Sequence, residues 1–134
     1  YPALTLRRVG KGKAVYIAAP LEKETYSHQR RLVTDLVKYL LDKRTVSYEV
    51  PEWLEVMAWR DEKNSCYQLN MLNSIYEVSN LIARDLKFKL EIPEKIKQVR
   101  EVGTGRTLDF EYVDGALLLK VDEICDFSML RLDY

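Results

Sequence analysis

The chain has one histidine, two cysteines and no excess of charge of either sign. Each shortage closes off a class of function. A single imidazole, His28, cannot build a multi-histidine metal site, and it leaves one candidate for a histidine general base. Ser27 beside it makes no catalytic pair, because adjacent helix residues do not face each other. Cys66 and Cys125 lie far apart, with neither a metal-ligand spacing nor a disulfide framework. Both fall in expected strands and read as buried free thiols. Lys and Arg number 21 and so do Asp and Glu, which argues against a nucleic-acid partner, since such partners call for basic excess. No apolar run nears the roughly 20 residues of a membrane-spanning helix, so no membrane partner is expected. The sequence has no internal repeat and no low-complexity tract, and it implies no cofactor or metal.

What is present is enough to build a core. The hydrophobic fraction is 47%, which argues against disorder. A length of 134 residues fits one domain, or one small domain with a piece of another. The chain opens on Tyr1 rather than Met, so a processed or excised piece is expected, and the missing leader says nothing about compartment.

The organising stretch is residues 81–134. Leu86, Phe88, Leu90 and Ile92 alternate with Asp85, Lys87, Lys89 and Glu91, the pattern of a strand with one apolar and one charged face. Pro93 ends it, because proline cannot donate to a ladder. A weaker strand over residues 96–102 leads to a turn at Gly103-Thr104-Gly105. Leu108, Phe110 and Tyr112 form the next strand, and Asp114-Gly115 is a strong hairpin signal before Leu117, Leu119 and Val121. Residues 127–132 close the chain as a last strand. Upstream, residues 46–50, 53–59 and 65–72 read as strands, with Pro51 and the polar loop 60–64 between them. Strands this short and this regularly punctuated predict an antiparallel β-sandwich of about seven strands over residues 46–134.

Residues 1–45 have a different character. Leu4 to Val9 and residues 14–19 read as a hairpin around Gly10-Lys11-Gly12. The second strand is nearly continuous in apolar residues, which predicts burial on both faces. Ser27 reads as an N-cap, and a helix to about Lys43 carries Leu32, Val33, Leu36, Val37, Leu40 and Leu41 on one stripe. A hairpin and one helix cannot make an α/β domain alone. Residues 1–45 are therefore expected to be the last hairpin and helix of a truncated α/β domain. The fold class is mainly β with one long α-helix. The stripe, with Leu32, Leu36, Val37 and Leu40 at its centre, is expected to serve self-association, because an uncovered face of that size invites aggregation.

No catalytic set emerges. Gly10-Lys11-Gly12-Lys13 lacks phosphate-loop spacing and precedes a strand, so it reads as a turn. Glu22 with Glu24, and Asp109 with Glu111, could be paired for glycoside hydrolysis, yet the second pair falls on the solvent face of a strand. Trp53 and Trp59 are spaced to share one face of an unbroken strand, where exposed rings would stack on sugars. Tyr67, Tyr76 and Tyr112 are further aromatics, and core packing is the ordinary fate of such rings.

Residues 6–20, with Arg7-Arg8-Val9-Gly10-Lys11-Gly12-Lys13-Ala14-Val15-Tyr16 at their centre, resemble a known hairpin. It closes the glutamine-amidotransferase-like trimerisation domain of family 42-type β-galactosidases. In that family a helix follows, and a strand of the C-terminal β-sandwich often carries a His-Leu-x-Asn pattern. Tyr67-Gln68-Leu69-Asn70 is similar in place but lacks the histidine. The resemblance spans residues 4–73 by motif and the remainder by its β character. It implies that the catalytic barrel lies upstream, so no catalytic glutamate carries over, and no cysteine nucleophile falls in the amidotransferase-like stretch. The expected function is a non-catalytic accessory and assembly region of a large β-galactosidase-like glycoside hydrolase. Its expected partners are upstream domains and further copies of itself. The rival is a carbohydrate-binding module using Trp53 or Trp59, and a small independent enzyme is the weakest reading.

Overall fold

The computed structural model describes residues 3–18, 26–41, 43–74 and 81–134. Contacts divide the chain into two compact units, Tyr1–Arg44 and Thr45–Tyr134. Among the described residues no helix is long and apolar enough to cross a membrane.

The first unit holds β1 (Leu4–Val9), β2 (Gly12–Ile17) and α1 (Ser27–Leu40). β1 and β2 pair antiparallel, from Leu4 with Ile17 to Val9 with Gly12. Gly10 takes φ +58 at the first turn position, where a type II′ hairpin needs glycine. Along β2 only Lys13, Val15 and Ile17 are half-buried, and Ala14 and Tyr16 face water. The expectation of burial on both faces is therefore not met within this unit, where β2 finds α1 as its packing partner beyond β1.

α1 departs from expectation at both ends. Tyr26, not Ser27, occupies the cap position, and its carbonyl accepts from the N–H groups of Gln29 and Arg30. Among the described residues no side chain caps the helix, and Ser27 is already helical. The helix stops at Leu40 rather than near Lys43, because Leu41 turns to an extended conformation while its N–H still reaches the Val37 carbonyl at 3.0 Å. Lys13 Nζ reaches from β2 to the end of the helix. It donates to the Tyr39 carbonyl at 2.9 Å and lies 5.0 Å from that ring's centre. A cation there suits the negative end of the helix dipole.

The second unit is built from nine strands among the described residues. They are β3 (Val46–Glu49), β4 (Leu54–Asp61), β5 (Cys66–Asn73), β6 (Ala83–Leu90), β7 (Gln98–Glu101), β8 (Thr107–Leu108), β9 (Phe110–Val113), β10 (Ala116–Ile124) and β11 (Phe127–Asp133). They form a four-stranded sheet, β3-β6-β10-β9, and a five-stranded sheet, β4-β5-β11-β7-β8. Every pairing is antiparallel. Leu86, Phe88, Leu90, Leu117, Leu119 and Val121 of the first sheet join Tyr67, Leu69, Met71, Val99, Leu130 and Leu132 of the second in one core. This is the layered burial of a sandwich, with alternate residues turned inward on each sheet.

The count exceeds seven partly because the strand expected over residues 108–112 is two strands in different sheets. Asp109 is the corner between them: Leu108 belongs to the five-stranded sheet and Phe110 to the four-stranded one. A second irregularity lies at Asp85, where φ is +55. There the inward-facing set changes phase, with Ala83 and Leu86 buried around exposed Arg84 and Asp85. The paired strand mirrors it, with Val121 and Ile124 buried around Asp122 and Glu123.

Both cysteines are free, but only Cys66 is buried. Cys125 sits in the bend between β10 and β11 and is exposed, so its expected place inside a strand is corrected.

Candidate functional site

The two sheets turn different outer faces away from the core. On the five-stranded sheet, register sets out rows across the face. Trp59 stands beside Gln68 and Arg131, Met57 beside Asn70 and Met129, and Glu55 beside Leu72 and Phe127. Trp59 is 59% exposed and Phe127 54%, with Met57 at 38%. Asn70 has its Oδ1 buried without a hydrogen-bond partner, a costly state for an amide oxygen. Arg131 is held in place, its Nε donating to Asp133 at 2.7 Å and its Nη2 to the Asn64 carbonyl at 3.3 Å. Arg100 donates to the other Asp133 oxygen at 3.0 Å. Burial pushes the Asp133 carboxyl up, but the two guanidinium groups outweigh it and hold the group below its ordinary range. The face thus carries exposed aromatic and thioether groups beside rigidly placed polar arms. Aromatic residues, Met and Arg are the types enriched at protein interfaces.

At one end of the same sheet a polar knot closes the sandwich. Glu94 accepts from the Tyr67 hydroxyl and from Arg60, which also pairs with Glu62 at 3.1 Å. The Tyr67 and Tyr134 rings lie 5.5 Å apart. Burial, followed by the adjacent Glu94, pushes the Tyr67 phenol up to about 12. In return the Tyr67 hydroxyl, and then Arg60, hold Glu94 below the usual carboxylate range. The knot thus joins β4, β5 and the chain end.

The outer face of the four-stranded sheet is charged instead. A groove of about 880 Å³ is lined by Glu49, Lys87, Lys89, Lys120, Asp109 and Glu111, among others. Lys87 and Lys120 are directly opposed across the ladder, and Glu49 draws Lys87 away to 2.9 Å. Asp109 and Glu111 are exposed, and neither histidine nor cysteine lines the groove.

The structure places the expected residues as follows. Trp53 lies in the turn before β4, half-buried against the core, with its carbonyl accepting from Ser74 N–H at 3.2 Å and Ser74 Oγ at 2.7 Å. It therefore shares no strand face with Trp59, because the strand begins one residue later, at Leu54. On α1, Leu32, Val37 and Leu40 are exposed and Leu36 is half-buried. His28 is exposed and stacks on Tyr26 at 5.6 Å. Tyr112 accepts from the Ile96 N–H at 2.8 Å, and Tyr67 is buried in the knot. Glu22, Glu24 and Tyr76 lie outside the described residues. Among the described residues no three His, Cys, Asp or Glu side chains come together to hold a metal ion. Met57, Phe127 and Met129 were not singled out in the sequence, and Asn70 was named only within the Tyr67-Gln68-Leu69-Asn70 pattern. The signal that could have found them is the register of three strands, which a single strand's alternation does not contain.

No family model matches the chain. No curated protein matches it. Solved structures do. The α-L-fucosidase isoenzyme 2 from Paenibacillus thiaminolyticus superposes with a TM-score of 0.78 at 14% identity, over 96% of this chain and 22% of that one. Gan42B, a GH42 β-galactosidase from G. stearothermophilus, superposes in its catalytic-mutant form with a TM-score of 0.53 at 16% identity, over 99% of this chain and 16% of that one. The Gan42B structure without that mutation gives 0.52 with the same identity and coverage. At these identities the likeness is one of fold. The chain spans about a fifth or less of the length of these glycoside hydrolases.

Proposed function

We propose that this chain is a non-catalytic C-terminal accessory and assembly region of a longer glycoside hydrolase-like protein. In this reading residues 1–45 are the closing hairpin and helix of a glutamine-amidotransferase-like domain, and residues 46–134 are the C-terminal sandwich. The observation that carries it is the likeness of nearly the whole chain to a stretch making up 22% of an α-L-fucosidase. The hairpin motif around Gly10 points the same way. Catalysis would belong to upstream domains of the parent chain. Leu32, Leu36, Val37 and Leu40 are the residues through which α1 would meet a neighbouring domain or another copy. The test is to incubate the purified chain with aryl α-L-fucoside and aryl β-D-galactoside. No release above buffer is expected, and turnover that tracks the protein through purification would contradict the reading.

A second reading is favoured by one observation, the 59% exposure of Trp59 beside Gln68 and Arg131. A flat indole with planar amide and guanidinium arms beside it is suited to a sugar ring. In this reading the chain binds carbohydrate through Trp59, and Trp53 supports the fold. Isothermal titration with galacto- and fuco-oligosaccharides checks it. Heat of binding abolished in Trp59→Ala supports it, and no heat with any sugar contradicts it.

A further inference from the structure

Among the described residues the four sheet edges of the sandwich are not alike. β3 and β9 have four residues each and β8 has two, but β4 has eight. Proteins keep exposed edges short, charged or covered, because a free row of backbone donors and acceptors templates another strand. β4 is guarded by charge only toward its far end, at Arg60 and Asp61. From Leu54 to Trp59 it carries one charged residue, Glu55. Both of its faces are accessible. Ala58, on the inward row opposite Leu69, is exposed and Val56 is half-buried, while Met57 and Trp59 stand exposed on the outer row.

We propose that β4 is a dimerisation edge, pairing antiparallel with β4 of a second copy of this chain to join two five-stranded sheets into one. A second copy fits because antiparallel pairing of a strand with itself about a two-fold axis is self-complementary. Each copy offers the same row of N–H and C=O groups. The outer rows then continue across the junction and bring Met57 and Trp59 of both copies together, a thioether–aromatic combination that packs well. An eight-residue edge is about 27 Å long and roughly 10 Å deep, so the junction buries on the order of 500 Å² over both copies. That is less than the ~1,200 Å² of stable complexes, so the dimer is weak and concentration-dependent, with a dissociation constant in the micromolar range or above. The proposal involves a surface other than the α1 stripe and stands whether or not that stripe associates.

Sedimentation velocity of the whole chain over a concentration series tests it, together with hydrogen exchange at low and high concentration. The expected result is a monomer–dimer equilibrium in which the β4 amides gain protection with concentration. Ala58→Lys and Trp59→Glu should each weaken it at least tenfold while far-ultraviolet circular dichroism stays unchanged, and Val37→Lys on α1 should leave it intact. A chain that stays monomeric throughout would overturn the proposal. So would a dimer that survives Ala58→Lys, or one lost to Val37→Lys alone. The exchange measurement needs no variant and decides the matter if a substitution impairs folding: protection confined to residues outside β4 would contradict the edge.

Discussion

Asp114 and Gly115 take φ values of +51 and +80 at the tip of the β9–β10 hairpin, the pair of left-handed residues that a type I′ turn requires. Nothing lies within 4 Å of where a Cβ on Gly115 would sit, so backbone strain alone governs a substitution there. Gly115→Ala is expected to cost about 1–2 kcal/mol in urea unfolding. Gly103→Ala, at a glycine outside the left-handed region, should be neutral or stabilising by up to about 1 kcal/mol.

Titration argues from the same scale. Tyr67 ionises in the folded chain at about 12, against 10.0 when free, so its neutral form is favoured by folding. Its contribution to stability is full below pH 10 and is lost as pH rises toward 12. Glu94, Glu101 and Asp133 are shifted the other way, Glu101 chiefly by the Thr104 hydroxyl and then by Ser128. Their contribution is present above the ordinary carboxylate range and is lost as pH falls through their lowered values. Chemical denaturation across pH should therefore show a broad plateau at neutral pH that declines on both sides. Tyr67→Phe should remove a phenol titrating at about 12, seen at 295 nm, and flatten the alkaline decline. The Asp-Gly turn was legible because two residue types with a shared backbone preference stood together. The exposure of Cys125 was not, since it stands between the strand residues Ile124 and Phe127 with only Asp126 to mark the bend.

Elements were legible where period and punctuation agreed. The alternation at Leu86, Phe88 and Leu90 matches their burial on β6, and Val9 to Gly12 forms the turn that Gly10 permits. The corner at Asp109 was hidden, because Leu108 and Phe110 keep the alternation of one strand while joining different sheets. Period two reports which face is buried and carries no record of which sheet owns it. The phase change at Asp85 was hidden for a related reason: it depends on the left-handed φ of one residue. The α1 start was misplaced by one residue because Ser27 suits a cap by type, yet the chain becomes helical there. That leaves the Tyr26 position open to improvement. Tyr26→Asp should supply the missing side-chain acceptor and stabilise the helix by about 1 kcal/mol, read as greater ellipticity at 222 nm and a higher melting temperature for the first unit.

The whole sandwich depends on a core shared by both sheets. Leu130 and Phe88 are buried on opposite layers of it. Leu130→Ala should cost about 2–5 kcal/mol and Phe88→Ala about 3–5 kcal/mol, each lowering the urea midpoint in one cooperative step. Outside that core the two surfaces diverge, one charged and one bearing Trp59, Met57 and Phe127. Neither assembles the acid, base and nucleophile set of a reaction centre among the described residues. The layered β architecture was legible from composition and spacing. The surface bearing Trp59 was not, because it arises from strands whose pairing no single stretch encodes.

Tryptophan emission, recorded for the chain and for Trp53→Phe and Trp59→Phe during titration with galactosides and fucosides, tests the accessory reading most directly. A half-buried Trp53 and an exposed Trp59 predict a blue component and a red one, each removed by its own substitution. If the chain serves assembly, neither component moves with any sugar. A red component that shifts with one sugar class, and is absent from Trp59→Phe, would contradict that account and make carbohydrate recognition the chain's function.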